Sequence, residues 1–478
     1  MVFRGRTVAV LLVVAVVLSS FVTYSIDGFI DYMSSKKISE EGAFNTKKIE
    51  EAYALIKKRY IHTTNDQQLL DGAIKGMVEA LKDPYSTYMN KKQTQQFMSD
   101  LESTFSGIGA EVTMKNGMLT IVSPIKDSPA EKAGLQPNDQ IIKINGESTE
   151  SLNLNQAIEK IRGPKGTKVN LEILRPGEKN TFSVTVVRDE IKQETVEAKK
   201  FRGRIGYIKI SQFSEGTADD FLDHLEDLED GGMSGLVIDV RGNPGGLLDS
   251  VQKILERFIP EDQPIMMTEE RGKKREVYYG KAKTKKSYPI AVLIDKGSAS
   301  ASEILAAALK EAGGAILVGE KSFGKGTVQT AIDFDDGSNI KLTMAKWLTP
   351  NGNWIDQHGG TKGIQPNIKV KYPDYVSVIP PQPKKTFKRD MNSDQIRSMQ
   401  MILDAIGYNP GRKDGYFDKE TEKALIAFQK ANQLTPSGKL NKETAAKLSD
   451  KFYKFLRDPD QDIQLQVALS RLKNQTSQ

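Results

Sequence analysis

The chain of 478 residues predicts a multidomain α/β protein, and three changes of texture along it carry that expectation. Between about 45 and 100, apolar residues recur at spacings of three and four. From 103 to 190 they alternate over short runs, and from 191 to 375 strand-like and helix-like runs take turns. Length alone asks for about three domains. An apolar fraction of 38% with 27% charged residues describes a folded chain rather than a disordered one. The net charge of +6 reads as a lysine-rich surface or a mild preference for anionic membrane or wall surfaces. No aromatic-interleaved basic cluster argues for nucleic acid. The absence of cysteine excludes disulfides, thiolate metal sites and a cysteine nucleophile.

Residues 1–26 read as a membrane anchor or signal segment. Arg4 and Arg6 precede an uncharged run over 7–26, TVAVLLVVAVVLSSFVTYSI, and Asp27 and Asp31 follow it. About twenty apolar residues span a bilayer, and basic residues before the run place the N-terminus inside. A cleaved signal would show a small-x-small site after the apolar core, and none is clear. The expectation is a single-pass membrane protein with the rest of the chain on the extracytoplasmic side, or a secreted one if the segment is cleaved. Residues 27–102 follow as a helical region in which Ile49, Tyr53, Ile56 and Tyr60 form one stripe. That pair of helices suits a core cover or a homodimer surface. Residues 103–190 open with the hairpin GAEVTMKNGMLTIVSP, turned at Asn116-Gly117. SPAEKAGLQPNDQIIKING, NLNQAIEKIRG and TKVNLEILRPGEKNTFSVTVVR come next, and the order resembles a PDZ domain. The resemblance makes Ser106, Gly107, Ile108 and Gly109 the loop that binds a chain-terminal carboxylate, and Leu154 to Ile161 the groove helix. A glycine loop with successive N–H groups suits that ligand, and the bound peptide adds a strand beside it.

Residues 191–375 alternate the strand GRIGYIKISQF, the helix TADDFLDHLEDLED and the strand SGLVIDV. The helix PGGLLDSVQKILERFI, the strand YPIAVLID and the helix SASEILAAALKEAG continue the pattern, which argues for parallel strands. IPPQPKKTFKRD marks a linker over 376–391. Residues 392–450 contain an internal echo, DGYFDKETEKAL against SGKLNKETAAKL, each a glycine turn followed by a capped helix. With QIRSMQMILDAIGYNPG and AFQKANQL this segment resembles the small helical peptidoglycan-binding domain, which makes peptidoglycan an expected partner. Residues 451–478 form a helical tail that packs on another element or a partner.

KGSASASEILAAALKEAGGAILVGEKSFGKGTVQ, from Lys296 to Gln329, places three serines where a loop becomes a helix. A hydroxyl nucleophile needs a base and an oxyanion site. The three histidines, His62, His224 and His358, sit in contexts that fit solvated surface positions. A lysine serves instead when burial lowers its pKa from about 10.4. In FGKGTVQ, Lys325 has glycine neighbours and no nearby acid. If GTVQTAI is a strand, Lys325, Thr327 and Gln329 share a face, and Gln329 orients the neutral amine. The rival reading of GEKSFGKGT, a phosphate loop, lacks the hydroxyl directly after the lysine and precedes strand-like rather than helical residues.

GSASASEILAAAL, GEKSFGKGTVQ, DVRGNPGG, DPYSTYM and KGIQP occur in the order seen in the carboxyl-terminal processing peptidases, or tail-specific serine proteases, which the chain resembles over about 45–375. The resemblance implies a ClpP/crotonase-like α/β core with Ser300 as nucleophile, Lys325 as general base and Gln329 as its orienting residue. It also implies oxyanion N–H groups from Ala301 and Gly246, a PDZ domain able to gate the site, and Arg162 as the gating candidate. Residue chemistry alone does not choose Ser300 over Ser298 or Ser302. No cofactor and no metal are expected. The expected activity is that of a serine endopeptidase that captures substrate C-termini. The alternative is a non-catalytic PDZ and cell-wall-binding scaffold.

Overall fold

The structure, a computed structural model, describes residues 46–115 and 117–476, and the chain divides into a unit over 1–82 and a second over 83–478. In the first unit the helices Thr46–Arg59 and Asp66–Glu79 follow the predicted periodicity. The stripe of Ile49, Tyr53 and Ile56 stays about 40% exposed. The side chain of Asn65 caps the second helix by accepting from the Gln68 N–H at 3.1 Å.

The apolar run at 7–26 lies outside the described residues. Among the described residues no helix is long and apolar enough to cross a membrane. The longest, Lys442–Arg457, has 16 residues, or about 24 Å at 1.5 Å per residue, against a hydrocarbon core of about 30 Å. The expected single-pass membrane localisation is therefore corrected.

In the second unit, the PDZ-like region forms a sheet ordered Ala110–Lys115, Met118–Pro124, Gln140–Ile144, Lys168–Leu174, Phe182–Val187. Strict alternation buries Val169, Leu171 and Ile173 on one face, against Ile141, Ile144 and Leu119. The helix Leu154–Ile161 is closed by a capping box between Asn153 and Gln156. Its C-terminal carbonyls, those of Lys160 and Ile161, accept from the buried Arg188 guanidinium, whose charge complements the negative helix end. Of the hairpin turn, Asn116 is outside the described residues and Gly117 has φ +81°.

The central α/β region is built on a six-stranded sheet. An antiparallel edge strand, Val196–Phe201, is followed by parallel strands Ile205–Ile210, Gly235–Asp239, Ile290–Ile294, Ile316–Gly319 and Ile368–Lys369. Gly235–Asp239 and Ile290–Ile294 are buried throughout, as parallel strands covered on both faces must be. The helices Thr217–Asp230, Leu248–Glu256 and Ala301–Glu311 bring Phe221, Ile254 and Leu305 to the core against one face, where Ile238 and Val292 point. The opposite face receives the C-terminal helix Ile463–Thr476, with Leu465, Ala468, Leu469 and Leu472 packed against Val237, Ala291, Leu293 and Val318. The tail thus completes the central sheet. A second sheet, of Thr87–Met89, Asn339–Leu348, Pro264–Glu270 and Glu276–Tyr279 with Thr327–Asp333 added to Asn339–Leu348, stands beside it.

Between the last parallel strand and the tail helix, residues 392–457 fold around Phe417, Phe428, Leu448 and Phe452. The internal echo has a physical basis. Buried Gln400 accepts from the Gly415 N–H and donates to the Tyr416 carbonyl and Thr421 hydroxyl. Buried Gln429 does the same with Gly438, Lys439 and Thr444. Each glutamine clamps one glycine turn to the helix that follows, and Asp418 and Asn441 cap those helices in matching positions.

Candidate active site

The three serines separate by burial and partner. Ser298 and Ser302 are 0% exposed. Ser298 Oγ donates to the Val240 carbonyl at 2.8 Å and Ser302 Oγ to the Asn243 carbonyl at 2.9 Å. Both fasten the loop DVRGNPGG to the start of the helix Ala301–Glu311. Ser300, between them, lines a cleft of about 410 Å³ together with Ala301, Gly246, Lys325 and Gln329. Its φ of +52° is rare for a residue with a Cβ. Strain of this kind persists where the surroundings over-determine it, and here they do. The Ser300 N–H donates to Glu303 Oε2 at 3.0 Å, and the Ala299 N–H to the Asn243 carbonyl at 3.1 Å.

Gly246 has φ +144°, and a Cβ there would lie 2.0 Å from the Phe213 carbonyl oxygen. The flanking hydrogen bonds, Phe213 N–H to Gly245 O and Leu247 N–H to Phe213 O, hold the loop at that contact. Only glycine fits the conformation and the space together.

Glu303, which the sequence does not single out, fixes both halves of the site. It is 0% exposed. Oε1 accepts from Ser322 Oγ at 2.5 Å and the Gly324 N–H at 2.7 Å; Oε2 accepts from the Ser300 and Lys325 N–H groups at 3.0 and 2.8 Å. Ser322 Oγ in turn accepts from the Ile364 N–H at 2.7 Å. The motifs SASASE, GEKSFGKGT and KGIQP therefore meet at one carboxylate. Burial raises its pKa, and its four donors oppose that rise. Both tryptophans of the chain secure the lysine from behind: the Trp347 indole N–H donates to the Lys325 carbonyl at 2.7 Å and that of Trp354 to the Gly326 carbonyl at 2.8 Å.

The Lys325 side chain is partly buried, and its Nζ lies 4.9 Å from the centroid of the Tyr85 ring. Burial lowers its pKa most, and the nearby charge of Lys341 lowers it further; Asp83 and Glu303 pull the other way. DPYSTYM supplies Tyr85 and Asp83, and Asp83 accepts from Ser86 Oγ at 2.6 Å and from the Tyr85 N–H at 3.1 Å. Ser86 Oγ accepts from the Thr343 N–H at 3.0 Å, which ties this motif to the second sheet.

Thr327–Asp333 is a strand, as expected, which disfavours a phosphate loop. Gln329 departs from expectation. Its Nε2 donates to Thr327 Oγ1 at 2.8 Å and Thr343 Oγ1 at 3.3 Å rather than meeting the amine. The cause is an irregularity in register: Val328 pairs with Ala345 but Gln329 with Thr343, so the partner strand bulges at Met344 and brings Thr343 beneath the amide. Neither His224 nor His358 lines the cleft, and His62 belongs to the first unit.

A second groove, of about 420 Å³, lies in the PDZ-like region between the strand Ala110–Lys115 and the helix Leu154–Ile161. Gly107, Ile108 and Gly109 line it with Phe105, Ile158, Ile161 and Arg162, whereas Ser106 does not. The Arg162 guanidinium lies 5.1 Å from the centroid of the Phe105 ring.

Sequence comparison finds known relatives along most of the chain. A model described as peptidase family S41 matches residues 204–370, and one described as the activating protease CtpB N-terminal domain matches 24–93. A PDZ domain model matches 120–175 and a putative peptidoglycan binding domain model 392–448. The chain is 52% identical over 428 residues to the carboxy-terminal processing protease CtpB of Bacillus subtilis (strain 168), a match covering 89% of this chain and 88% of that one. It is 42% identical over 465 residues to CtpA of the same organism, covering 97% and 98%.

Proposed function

The chain belongs to peptidase family S41, among the carboxy-terminal processing proteases, and we propose that it cleaves by a Ser-Lys mechanism on chains captured by their C-termini. The substrate's terminal carboxylate lies against the main chain of Gly107, Ile108 and Gly109, and its last apolar side chain enters between Ile158 and Ile161. Arg162 is assigned the sensing of groove occupancy, through its contact with Phe105. The putative peptidoglycan binding domain supports peptidoglycan as the partner of residues 392–448.

In the cleft, neutral Lys325 Nζ takes the proton of Ser300 Oγ as the oxygen bonds to the scissile carbonyl carbon. The Ala301 and Gly246 N–H groups receive the oxyanion, at the positive end of the helix Ala301–Glu311. Collapse breaks the C–N bond, and the Lys325 ammonium protonates the departing amine. Water then attacks the ester carbon and gives its proton to Lys325; collapse breaks the C–Oγ bond, the Lys325 ammonium returns that proton to Ser300 Oγ, and the acid leaves. Gln329 turns from Thr327 toward Nζ to orient the amine in this scheme.

The reading rests on one observation: Ser300 and a lysine whose pKa burial depresses share a cleft with Gly246 and Ala301. Ser300→Ala and Lys325→Ala should each abolish cleavage of a tailed protein while the thermal transition stays in place. A Lys325→Ala variant that cleaves at the wild-type rate would refute the lysine base. A non-catalytic scaffold predicts that a serine-directed phosphonate leaves Ser300 unlabelled.

A further inference from the structure

The catalytic cleft holds a second lysine that the Ser-Lys scheme leaves idle. Lys341 stands on Asn339–Leu348, opposite Ala331 on one side and Thr87 on the other. Two residues along the same strand, Thr343 accepts from Gln329, and the two-residue period of a strand gives Lys341 the same face. It lines the cleft with Ser300, Lys325 and Gln329. The side chain is half-buried, and its ammonium lies 5.2 Å from the centroid of the Phe97 ring. Among the described residues no carboxylate comes within ion-pair distance of it, whereas Lys192 and Lys286 hold Asp220 and Glu229. A cation turned into a half-enclosed cleft without an acid loses hydration and gains no pair energy in return.

The surroundings of Lys325 give that arrangement a use. Asp83 approaches it from the segment before Thr87–Met89, Glu303 from the nucleophile helix, and the Tyr85 ring presents its face at 4.9 Å. Carboxylates and an aromatic face all favour an ammonium. Asp356 accepts from the Gly326 N–H at 3.3 Å and acts on the Tyr85 hydroxyl. These groups work against the burial that depresses Lys325 and draw it toward the protonated form that cannot accept the serine proton. Lys341 is the cation set against them. The geometry points to Lys341 as a positioning residue that adds to burial in keeping Lys325 neutral, its confined positive charge opposing a second one in the same cleft. The principle is that of paired amines, in which one charged group depresses the other. The two lysines titrate as a pair, so the acid limb of the rate belongs to both.

The inference rests on Lys325 being the base, and its test separates the two. The rate of Ser300 capture by a serine-directed fluorophosphonate is measured against pH for the wild type, Lys341→Met, Lys341→Arg and Lys325→Ala. Methionine keeps the apolar stem against Phe97 and removes the charge. Its acid limb should move up by about one pH unit, lowering capture roughly tenfold below the limb and leaving the high-pH plateau. Arginine keeps the charge and should leave the limb at its wild-type position. A limb unmoved or shifted down in Lys341→Met, or a loss equal at every pH in both variants, overturns the tuning role. If Lys325→Ala is captured as fast as the wild type, the lysine base fails and this inference with it. A required Lys325 with an unmoved limb removes the inference alone.

Discussion

Replacing Glu303 by glutamine changes one atom and should disable the site. The carboxylate accepts four hydrogen bonds, two on each oxygen, and an amide can accept on one oxygen only. Turned toward Ser300 and Lys325, its NH2 meets two main-chain donors. Turned toward Ser322 and Gly324, the hydroxyl can rotate but the Gly324 N–H cannot. One or two buried donors are orphaned either way, at about 1–3 kcal/mol each, so stability should fall by about 2–4 kcal/mol. Because Glu303 also sets the distance between the Ser300 and Lys325 main chains, a displacement of about 1 Å should cost roughly 100-fold in kcat. Denaturant titration and steady-state cleavage measure the two effects, and binding of a C-terminal peptide to the PDZ groove should be unchanged. The pH dependence has a definite sign. Glu303 has a raised pKa in the fold, so the native state holds that proton to higher pH than the unfolded chain. Stability contributed this way is lost as pH rises above the ordinary carboxyl value of about 4.3, and the glutamine variant should lack that slope. A glutamine variant with wild-type stability and kcat would refute the reasoning.

Three further outcomes are expected. Gly246→Ala forces a Cβ to within 2.0 Å of the Phe213 carbonyl and should reduce kcat by about 100-fold or more, with KM little changed; intact kcat would remove the oxyanion assignment. Arg241 donates to Asp239 and, as a fork of 2.9 and 2.6 Å, to Asp462 at the start of the tail helix. Burial alone would lower its pKa, yet the two carboxylates raise it, so Asp462→Ala should cost about 3–5 kcal/mol in denaturant titration; a cost under about 1 kcal/mol, typical of an exposed pair, would show the clamp to be idle. Gln400→Leu and Gln429→Leu should destabilise residues 392–457 by similar amounts, since each orphans a glycine N–H and removes the amide donor to a carbonyl and a threonine hydroxyl. Unequal effects in hydrogen exchange would break the equivalence of the two halves.

Much of this architecture is legible in the chain because it is written in local periodicity. Val169, Leu171 and Ile173 alternate in sequence as they do in the sheet, and Leu154–Ile161 announces its start with Asn153 and Gln156. Lys325 stood out because glycines flank it and no acid lies near it in sequence. What pulls on its proton comes from elsewhere: Asp83, Lys341 and Glu303 are distant along the chain and meet only in the fold. Glu303 was hidden for another reason. An acid in the first turn of a helix is what the helix dipole favours anyway, so its position carried no excess signal. The choice among Ser298, Ser300 and Ser302 depended on carbonyls of Val240 and Asn243, which only the folded loop supplies. The Gln329 amide rests on Thr327 and Thr343 beside a bulge at Met344 in the partner strand, a feature that no local pattern announces.

The state of one amine decides the account. With ε-13C- or ζ-15N-labelled lysine, the Lys325 signal can be assigned by its loss in a Lys325→Met variant and titrated by NMR in the intact protein. A midpoint well below the ordinary lysine value of about 10.4 is expected, rising in Lys341→Met. A midpoint at or above that value would leave Ser300 without its base.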